Sequence, residues 1–160
     1  DSYMTVEEVI KQPLDIIKEG NSLFRKDKVK EALGFVQLES SEEFLTKKCY
    51  SLSGGQRQRI AIARSLVMNP KILIADEIST MLDPSTKANI LRLLKGLQNS
   101  IGFSMLYITH DISLARKIAD KIYVMHEGKI IEESSALDFF ENPHMDYSKL
   151  LINEGLNIKV

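Results

Sequence analysis

Three short polar segments of the sequence carry residue types that can act together on a phosphate group. Ser53-Gly54-Gly55-Gln56 places two glycines before a predicted helix, whose free N–H groups and dipole attract anions. Asp76-Glu77 ends one apolar run and His110 ends another. The first carboxylate can hold Mg²⁺, the second can orient and deprotonate an attacking water, and the histidine can contact a phosphate or hold a water.

Each of these segments also has an ordinary structural explanation. A Ser-Gly-Gly turn is most often a loop that enters a helix, and an acidic pair is most often the solvated end of a strand. A single histidine after a strand is usually a surface residue. The occurrence of all three in this order, two of them behind apolar runs, favours the functional interpretation.

The composition predicts one α/β domain, or at most a small pair of domains. The chain has 160 residues, of which 44% are hydrophobic and 27% are charged, enough apolar material for a core. A formal net charge of −1 excludes a nucleic-acid binder that acts through bulk charge. The single cysteine, Cys49, excludes an internal disulfide framework and fits a reducing compartment. The apolar runs are too short for a membrane span and no signal peptide is recognisable, so a cytoplasmic protein is expected.

The elements that would position the three segments can be predicted from local patterns. The first ~50 residues form a small helical region, beginning with a capping box at Thr5 and Glu8 and interrupted at Pro13. A further helix follows Gly54-Gly55. Ile72–Ala75 is typical of a strand buried on both faces, because it is wholly apolar.

The second half continues this alternation and closes with a hairpin. A helix beginning at Asp83-Pro84 leads to a second apolar strand, Met105–Thr109, so that the two strands should be parallel with a right-handed crossover. Asp111 caps the next helix. Lys121–Met125 and Lys129–Glu132 read as a hairpin, followed by a helical piece, Ala136–Glu141, and an apolar stretch around Leu150, Leu151 and Ile152.

In this order and spacing the segments resemble those of the nucleotide-binding subunit of ABC transporters. Ser51–Arg59 is similar to the family's extended signature motif, and Ile72–Glu77 to its Walker B strand with the catalytic glutamate. Thr80–Asp83 resembles the D-loop, and His110 the switch histidine. The resemblance implies an α/β fold of the P-loop NTPase (ABC ATPase) class, and it covers essentially the whole chain.

The same resemblance implies a role for each matching residue. Ser53, Gly54, Gly55 and Gln56 would contact the γ-phosphate of an ATP bound by a second domain, and Asp83 would link the two sites. Asp76 would order Mg²⁺, so that the implied cofactors are ATP and Mg²⁺. Glu77 and His110 would be catalytic, the first positioning and activating water and the second holding the γ-phosphate.

The family's Gly-rich phosphate loop has no counterpart in this sequence, since no Gly-x-x-x-x-Gly-Lys-Ser/Thr occurs. In the family, the phosphate loop, the adenine-stacking aromatic and the Q-loop glutamine all lie upstream of the segment that resembles Thr5–Glu8.

We therefore expect a half-domain: a helical subdomain followed by the later part of a parallel-sheet core. The expected boundaries are about 1–65 for the helical subdomain with the signature motif, 66–135 for the core, and 136–160 for the tail. Alone, this chain should be inactive.

The tail resembles that of the oligopeptide, dipeptide and nickel importer ATPases. Phe140–His144 and Tyr147–Leu151 carry that likeness, although Met145-Asp146 replaces part of the usual ending. The implied partners are a second ABC ATPase subunit, transmembrane permease subunits and, indirectly, a substrate-binding protein, with no nucleic acid. The implied location is the cytoplasmic face of the cell membrane, where the protein would be peripheral.

Three hypotheses remain open from the sequence. The chain can be part of an importer ATPase that powers uptake of peptides, related small solutes or nickel chelates. It can be a natural truncated or degenerate ABC protein that acts only as a binding partner. It can also be a soluble ABC ATPase without a transport role, which the importer-like tail and the ordinary net charge disfavour.

Overall fold

The computed structural model describes residues 2–78 and 84–157. Thr80–Asp83, the predicted D-loop with its candidate residue Asp83, therefore lies outside the described residues. The elements, in chain order, are α1 Val6–Ile16, α2 Ser22–Phe35, α3 Glu42–Thr46, a 3-10 helix Cys49–Ser51, α4 Gly54–Leu66, β1 Ile72–Asp76, α5 Pro84–Ile101, β2 Ser104–Ile108, α6 Ile112–Ile118, β3 Lys121–His126, β4 Lys129–Ser135, α7 Ala136–Glu141 and α8 Asp146–Asn157.

The described residues form two compact units. The first holds the residues up to Ala75 together with those from Pro84 to Leu106, and the second holds Asp76–Ile78 and the residues from Tyr107 onward. Within the described ranges, no helix combines the length and the apolar character needed to cross a bilayer. The two units are taken in turn.

The helical part of the first unit begins at the predicted capping box. The Thr5 hydroxyl accepts from the N–H of Glu8, and the Glu8 carboxylate accepts from the N–H of Thr5, so two of the helix's unpaired donors are satisfied. The predicted interruption at Pro13 is wrong, because α1 continues through that residue to Ile16. The Pro13 carbonyl accepts from the N–H of Ile17, so the proline removes a donor without ending the helix.

The core of this region is formed by the apolar stripes of α1, α2 and α4, which bury Ile10, Leu33 and Ile60 among others. The described N-terminus pairs with the segment that precedes the 3-10 helix, through the antiparallel bridge between Thr5 and Lys48. Three main-chain bonds accompany that bridge: Val6 N to Lys47 O at 3.0 Å, Cys49 N to Met4 O at 3.1 Å and Tyr50 N to Ser2 O at 3.0 Å.

Strands β1 and β2 pair with each other, as predicted. The N–H of Ser104 donates to Lys71 O at 2.9 Å and the N–H of Glu77 donates to Ile108 O at 3.0 Å, so both strands advance in the same direction and are parallel. The helix predicted between them is α5, which begins at Pro84 and buries a stripe that includes Leu94.

The prediction that β1 is buried on both faces is wrong. Leu73 and Ala75 are buried, but Ile72 and Ile74 are each 64% exposed. On β2, Leu106 and Ile108 are exposed as well. A parallel strand is covered on both faces only where elements pack on both sides of the sheet, and among the described residues the Ile72 and Ile74 side has no such cover.

The second unit contains the predicted hairpin. Strands β3 and β4 pair antiparallel from Lys121 opposite Ser135 to His126 opposite Lys129, with an irregularity between Val124 and Met125. The two residues of the turn, Glu127 and Gly128, have φ of 48° and 75°, as a type I′ hairpin turn requires. Helix α6 is capped by Asp111, and α7 has the predicted bounds Ala136–Glu141.

Candidate functional site

Ser53 and Gln56 form a capping box at the start of α4. The Ser53 hydroxyl accepts from the N–H of Gln56 at 3.2 Å, and the Gln56 side-chain oxygen accepts from the N–H of Ser53 at 3.0 Å. Ser53 itself has the extended backbone typical of an N-cap. This reciprocal pair fixes the turn, so that the two glycines at its centre have a defined position.

The capping box uses acceptor atoms and leaves donors. The Ser53 hydroxyl hydrogen and the Gln56 amide nitrogen remain able to donate after the two bonds are made. The N–H groups of Gly54 and Gly55 lie in the first turn of α4, where no intrahelical acceptor exists. Together with the positive end of the helix dipole, these donors suit an anion such as a phosphate.

Among the described residues, neither packing nor backbone conformation requires the two glycines. A Cβ built on Gly54 or on Gly55 meets no heavy atom within 4 Å, and neither residue has a positive φ. Glycine in a helix is less stable than alanine by roughly 0.5–1 kcal/mol. The open space beside these two positions leaves room for another group to approach the backbone closely.

Three arginines of α4 hold the turn and its helix in place, and the sequence alone did not indicate this. Arg57 Nη1 donates to Leu52 O at 2.5 Å, next to the N-cap residue. Arg59 Nη1 donates at 2.9 Å to the carbonyl oxygen of Val36, the C-cap of α2. Arg64 Nη2 donates to Gln12 Oε1 of α1 at 2.8 Å. The bonds of Arg59 and Arg64 join residues far apart in sequence, and helical spacing cannot reveal them.

The second candidate site follows β1. Asp76 is the last residue of the strand and its side chain is exposed. Glu77 has a φ of 44°, a left-handed conformation that is uncommon for a residue with a side chain and that turns the chain sharply after the strand. The bond from its N–H to Ile108 O fixes that turn to the end of β2.

The same turn brings Glu77 and His110 together. Glu77 Oε1 lies 3.1 Å from His110 Nδ1, and both side chains are exposed to solvent. In this contact either a histidine Nδ1–H donates to the carboxylate or a protonated carboxyl donates to Nδ1, according to the tautomer of His110. A carboxylate in contact with an imidazole, at the carboxyl ends of two parallel strands, is an arrangement suited to activating a water.

The chemistry of Asp76 fits the Mg²⁺ that accompanies nucleotides. Within residues 2–78 and 84–157, no group of three or more acidic, histidine or cysteine side chains could hold a metal by themselves. One exposed carboxylate at a strand end suits an ion that keeps several waters and binds mainly through substrate phosphates. The signature turn, Ser53–Gln56, belongs to the first unit, and Asp76, Glu77 and His110 belong to the second.

Comparison with known proteins gives one consistent family. The family model described as "ABC transporter" matches residues 2–80. Among curated relatives, the oligopeptide transport ATP-binding protein OppF of Streptococcus pyogenes serotype M1 is 46% identical over 129 residues, which cover 81% of this chain and 41% of the relative. The methionine import ATP-binding protein MetN of Streptococcus mutans is 42% identical over 135 residues, covering 84% of this chain and 37% of the relative. The dipeptide transport ATP-binding protein DppF of Haemophilus influenzae is 38% identical over 145 residues, covering 91% and 44%.

A solved structure agrees with these relatives. The ATP-binding cassette MJ0796, in a dimeric post-hydrolysis state with ADP and phosphate, is 35% identical and superposes with a TM-score of 0.68. The match covers 85% of this chain and 58% of that cassette. The chain thus spans less than half the length of the curated relatives quoted above. The expected fold class is confirmed, and the chain belongs to the ABC transporter family, in which it is part of an ATP-binding domain of the P-loop NTPase class.

Proposed function

We propose that this chain supplies the signature turn and the hydrolytic pair of the ATP-binding subunit of an ABC importer. The observation that supports it most strongly is the 3.1 Å contact between Glu77 and His110 at the ends of two parallel strands. The capping box at Ser53 and Gln56, with its free donors, adds an anion site of the kind that a nucleotide phosphate needs.

In this proposal Glu77 and His110 act on the γ-phosphate and on the attacking water. Glu77 orients the water and accepts its proton, while His110 holds the carboxylate through Nδ1 and faces the phosphate through Nε2. Donation from both ring nitrogens requires the imidazolium form. Mg²⁺ bound near Asp76 would supply neutralisation of the phosphate charge. The contribution of the chain is therefore positioning and electrostatics.

The signature turn acts on a nucleotide carried by a second ATP-binding subunit. The support is that a Cβ built on Gly54 or on Gly55 meets no heavy atom of the described residues within 4 Å. A backbone segment without side chains, where packing does not require glycine, suits close contact with a nucleotide on a second subunit. Asp83, which lies outside the described residues, is proposed to link the two nucleotide sites.

The transported solutes are proposed to be peptides or related small solutes, with nickel chelates as a further possibility from the tail. The similarity to ATP-binding proteins of oligopeptide, dipeptide and methionine transport supports this class. The partners are then transmembrane permease subunits, a second ATP-binding subunit and, indirectly, a substrate-binding protein. The subunit would lie peripherally on the cytoplasmic face of the membrane.

The test uses the complete subunit that contains this chain, with Glu77→Gln. The amide keeps the size of the side chain but cannot accept a proton, so we expect ATP to bind and the ATP-loaded dimer to persist. Size-exclusion chromatography with ATP and a hydrolysis assay measure this. Glu127→Gln, in the hairpin turn, is the matched control and should behave as the wild type. A Glu77→Gln subunit that hydrolyses ATP at the wild-type rate contradicts the proposal.

Two further measurements separate the alternatives. If the chain of these 160 residues is a binding partner only, it should not turn over Mg-ATP, and calorimetry should show no binding at micromolar nucleotide. Turnover that Glu77→Gln abolishes would overturn the expected inactivity. If the protein is instead a soluble ABC ATPase, the complete subunit should not copurify with permease subunits from membranes.

A further inference from the structure

A buried carboxylate in the second unit holds the start of the last helix. Glu132 of β4 is only 7% exposed, and its two oxygens accept three bonds from the segment after α7. The donors are the N–H of His144 and the N–H of Met145, both at 3.1 Å, and the hydroxyl of Ser148 at 2.5 Å. Ser148 itself is 0% exposed.

These three bonds satisfy donors that the start of α8 would otherwise leave unpaired. His144 and Met145 directly precede the helix, and Ser148 lies in its first turn. A carboxylate at this end is also favoured by the helix dipole. Burial opposes ionisation of Glu132, but the bonds from Ser148, His144 and Met145 outweigh it, so that the pKa of Glu132 is lowered. The segment is thus attached to β4 by a charged, nearly water-free contact.

The other end of α8 lies against α6. The Ser113 hydroxyl donates to Gly155 O at 3.3 Å. A Cβ on Gly155 would stand 2.6 Å from Ile112 Cβ and 2.8 Å from Ile112 Cγ1, which are distances that real atoms do not adopt. The glycine therefore allows the backbone of α8 to touch the first residues of α6 directly, and a side chain there would force the two helices apart.

The candidate histidine, His110, directly precedes Asp111, the N-cap of α6. Asp111 caps α6 by accepting from the N–H of Leu114 at 3.0 Å, and its own N–H donates to Thr109 Oγ1 at 3.0 Å. His110 stands between Thr109 and Asp111 and reaches Glu77. A displacement of Ile112 and Ser113 therefore acts on the backbone next to His110.

We propose that α8, attached through Glu132 and seated on α6 through Gly155, is a positioning element for His110. The proposal rests on the function proposed above, in which His110 and Glu77 act on ATP. Neither Glu132 nor Gly155 touches the reacting atoms in this account. They fix the start of α6, and through it the distance between His110 and Glu77, on which an effective contact with the water and the phosphate depends.

The test is Gly155→Ala in the complete subunit, with Gly96→Ala as the control. Gly96 is a helical glycine of α5 around which a Cβ meets nothing within 4 Å, so its substitution should leave hydrolysis unchanged. For Gly155→Ala we expect kcat to fall about ten-fold with KM for ATP unchanged, because misplacement affects the chemical step and not nucleotide binding.

Repeating both substitutions in a His110→Ala background distinguishes positioning from general damage. If α8 acts through His110, Gly155→Ala should cause no further loss once His110 is gone. An equal loss in both backgrounds overturns the proposal and shows a merely structural effect. If His110→Ala alone has no effect on kcat, the proposed catalytic function of His110 is wrong. That outcome is distinct from one in which His110 matters but α8 does not position it.

A milder variant covers the case in which Gly155→Ala does not fold. Ser113→Ala removes only the bond to Gly155 O and leaves the packing at Ile112 in place. We expect a kcat reduced about two- to three-fold, again absent in the His110→Ala background, as for the loss of one neutral hydrogen bond. If Gly155→Ala does not fold, a wild-type kcat for a folded Ser113→Ala contradicts the proposal. If Gly155→Ala does fold, a wild-type kcat for that variant contradicts it as well.

Discussion

Arg57 Nη1 donates to the carbonyl oxygen of Leu52 at 2.5 Å, so the helix that follows the signature turn holds the residue that precedes it. Ser53, between them in the chain, is the N-cap of that helix. The turn is therefore closed by a side chain from its own helix as well as by the capping box. The position of its free N–H groups depends on this guanidinium.

The first prediction concerns that contact. In the complete subunit, Arg57→Gln should lower ATP hydrolysis about ten-fold while nucleotide affinity stays unchanged, since a charge-assisted bond is lost at a turn that serves a partner's nucleotide. Arg64→Gln is the control, because Arg64 lies on the same helix and bonds Gln12 away from the turn. An equal loss of hydrolysis in both variants would mean that the helix, and not the turn, is affected.

The second prediction is a separation of stability from activity at Gly55. Gly55→Ala should raise the free energy of unfolding by up to about 1 kcal/mol, because the position is helical and open. The same change should reduce hydrolysis by the complete subunit, and Gly55→Asp should abolish it by adding bulk and a negative charge beside a phosphate. Denaturant unfolding and an ATPase assay measure the two effects.

In a mixed dimer, the Gly55→Asp subunit should silence the nucleotide site of its partner and keep its own affinity for nucleotide. Gly34→Ala, at another open helical glycine, is the control for the change in the free energy of unfolding caused by Gly55→Ala. If the nucleotide affinity of the Gly55→Asp monomer falls as far as its hydrolysis does, the turn serves its own nucleotide and the assignment across the dimer is wrong.

The third prediction is a dependence of the tail on pH. The folded-state pKa of Glu132 is lowered below its ordinary value, so its contribution to stability is fully present above the unfolded-state pKa, about 4.3, and is lost as the pH falls through the folded-state pKa. Hydrogen exchange at α8 should be constant from neutral pH to about pH 5 after correction for the intrinsic rate, and should rise in stronger acid.

The control for that experiment is Glu132→Gln. A glutamine cannot ionise and replaces one of the two acceptor oxygens with an NH₂ group, so at least one of the three donors loses its acceptor. Helix α8 should therefore exchange faster at all pH values and show no additional acid transition. Exchange at α8 that rises already between pH 7 and pH 6 would contradict the assignment to Glu132, since no carboxylate with a lowered pKa titrates there.

The fourth prediction concerns the exposed face of β1. The chain of these 160 residues should self-associate at micromolar concentration, because Ile72 and Ile74 present apolar surface on a strand. Ile74→Lys should shift the population toward monomer in analytical ultracentrifugation. Ile16→Lys is the control, since Ile16 is 72% exposed on α1 and away from the strands. A monomeric wild-type chain would contradict the prediction.

Local signals predicted much of this structure, and contacts between distant residues account for what they missed. The capping boxes at Thr5 and Ser53 and the hairpin at Glu127 depend on neighbouring residues, so their patterns are visible in the sequence. The pairing of Glu77 with His110 joins residues 33 apart. Their positions after two apolar runs and the resemblance to a family place both in one site, but neither indicates that the two side chains touch.

Several of the missed features depend on residues that are far apart in the sequence. An apolar run gives the character of a strand but not whether something covers it, which is why the exposure of Ile72 and Ile74 was not predicted. Nothing in the sequence near Glu132 identifies it as buried, because its partners lie 12 to 16 residues later. The local pattern predicts an interruption at Pro13, but α1 continues through it and buries Ile10 and Leu14 on either side.

The pairing of Thr5 with Lys48 has a consequence for mechanics. Residues 6–47 begin and end beside each other, at the bridge between Thr5 and Lys48. The main-chain bonds of Met4 and Ser2 to Cys49 and Tyr50 connect the two ends of this segment. Tension applied to the chain at Ser2 therefore passes across these bonds to the segment just before Ser53, without extending the helices. Because these bonds are made by backbone atoms, they transmit force whatever side chains residues 6–47 carry. The number of residues in that segment can therefore change without changing the route that the force takes.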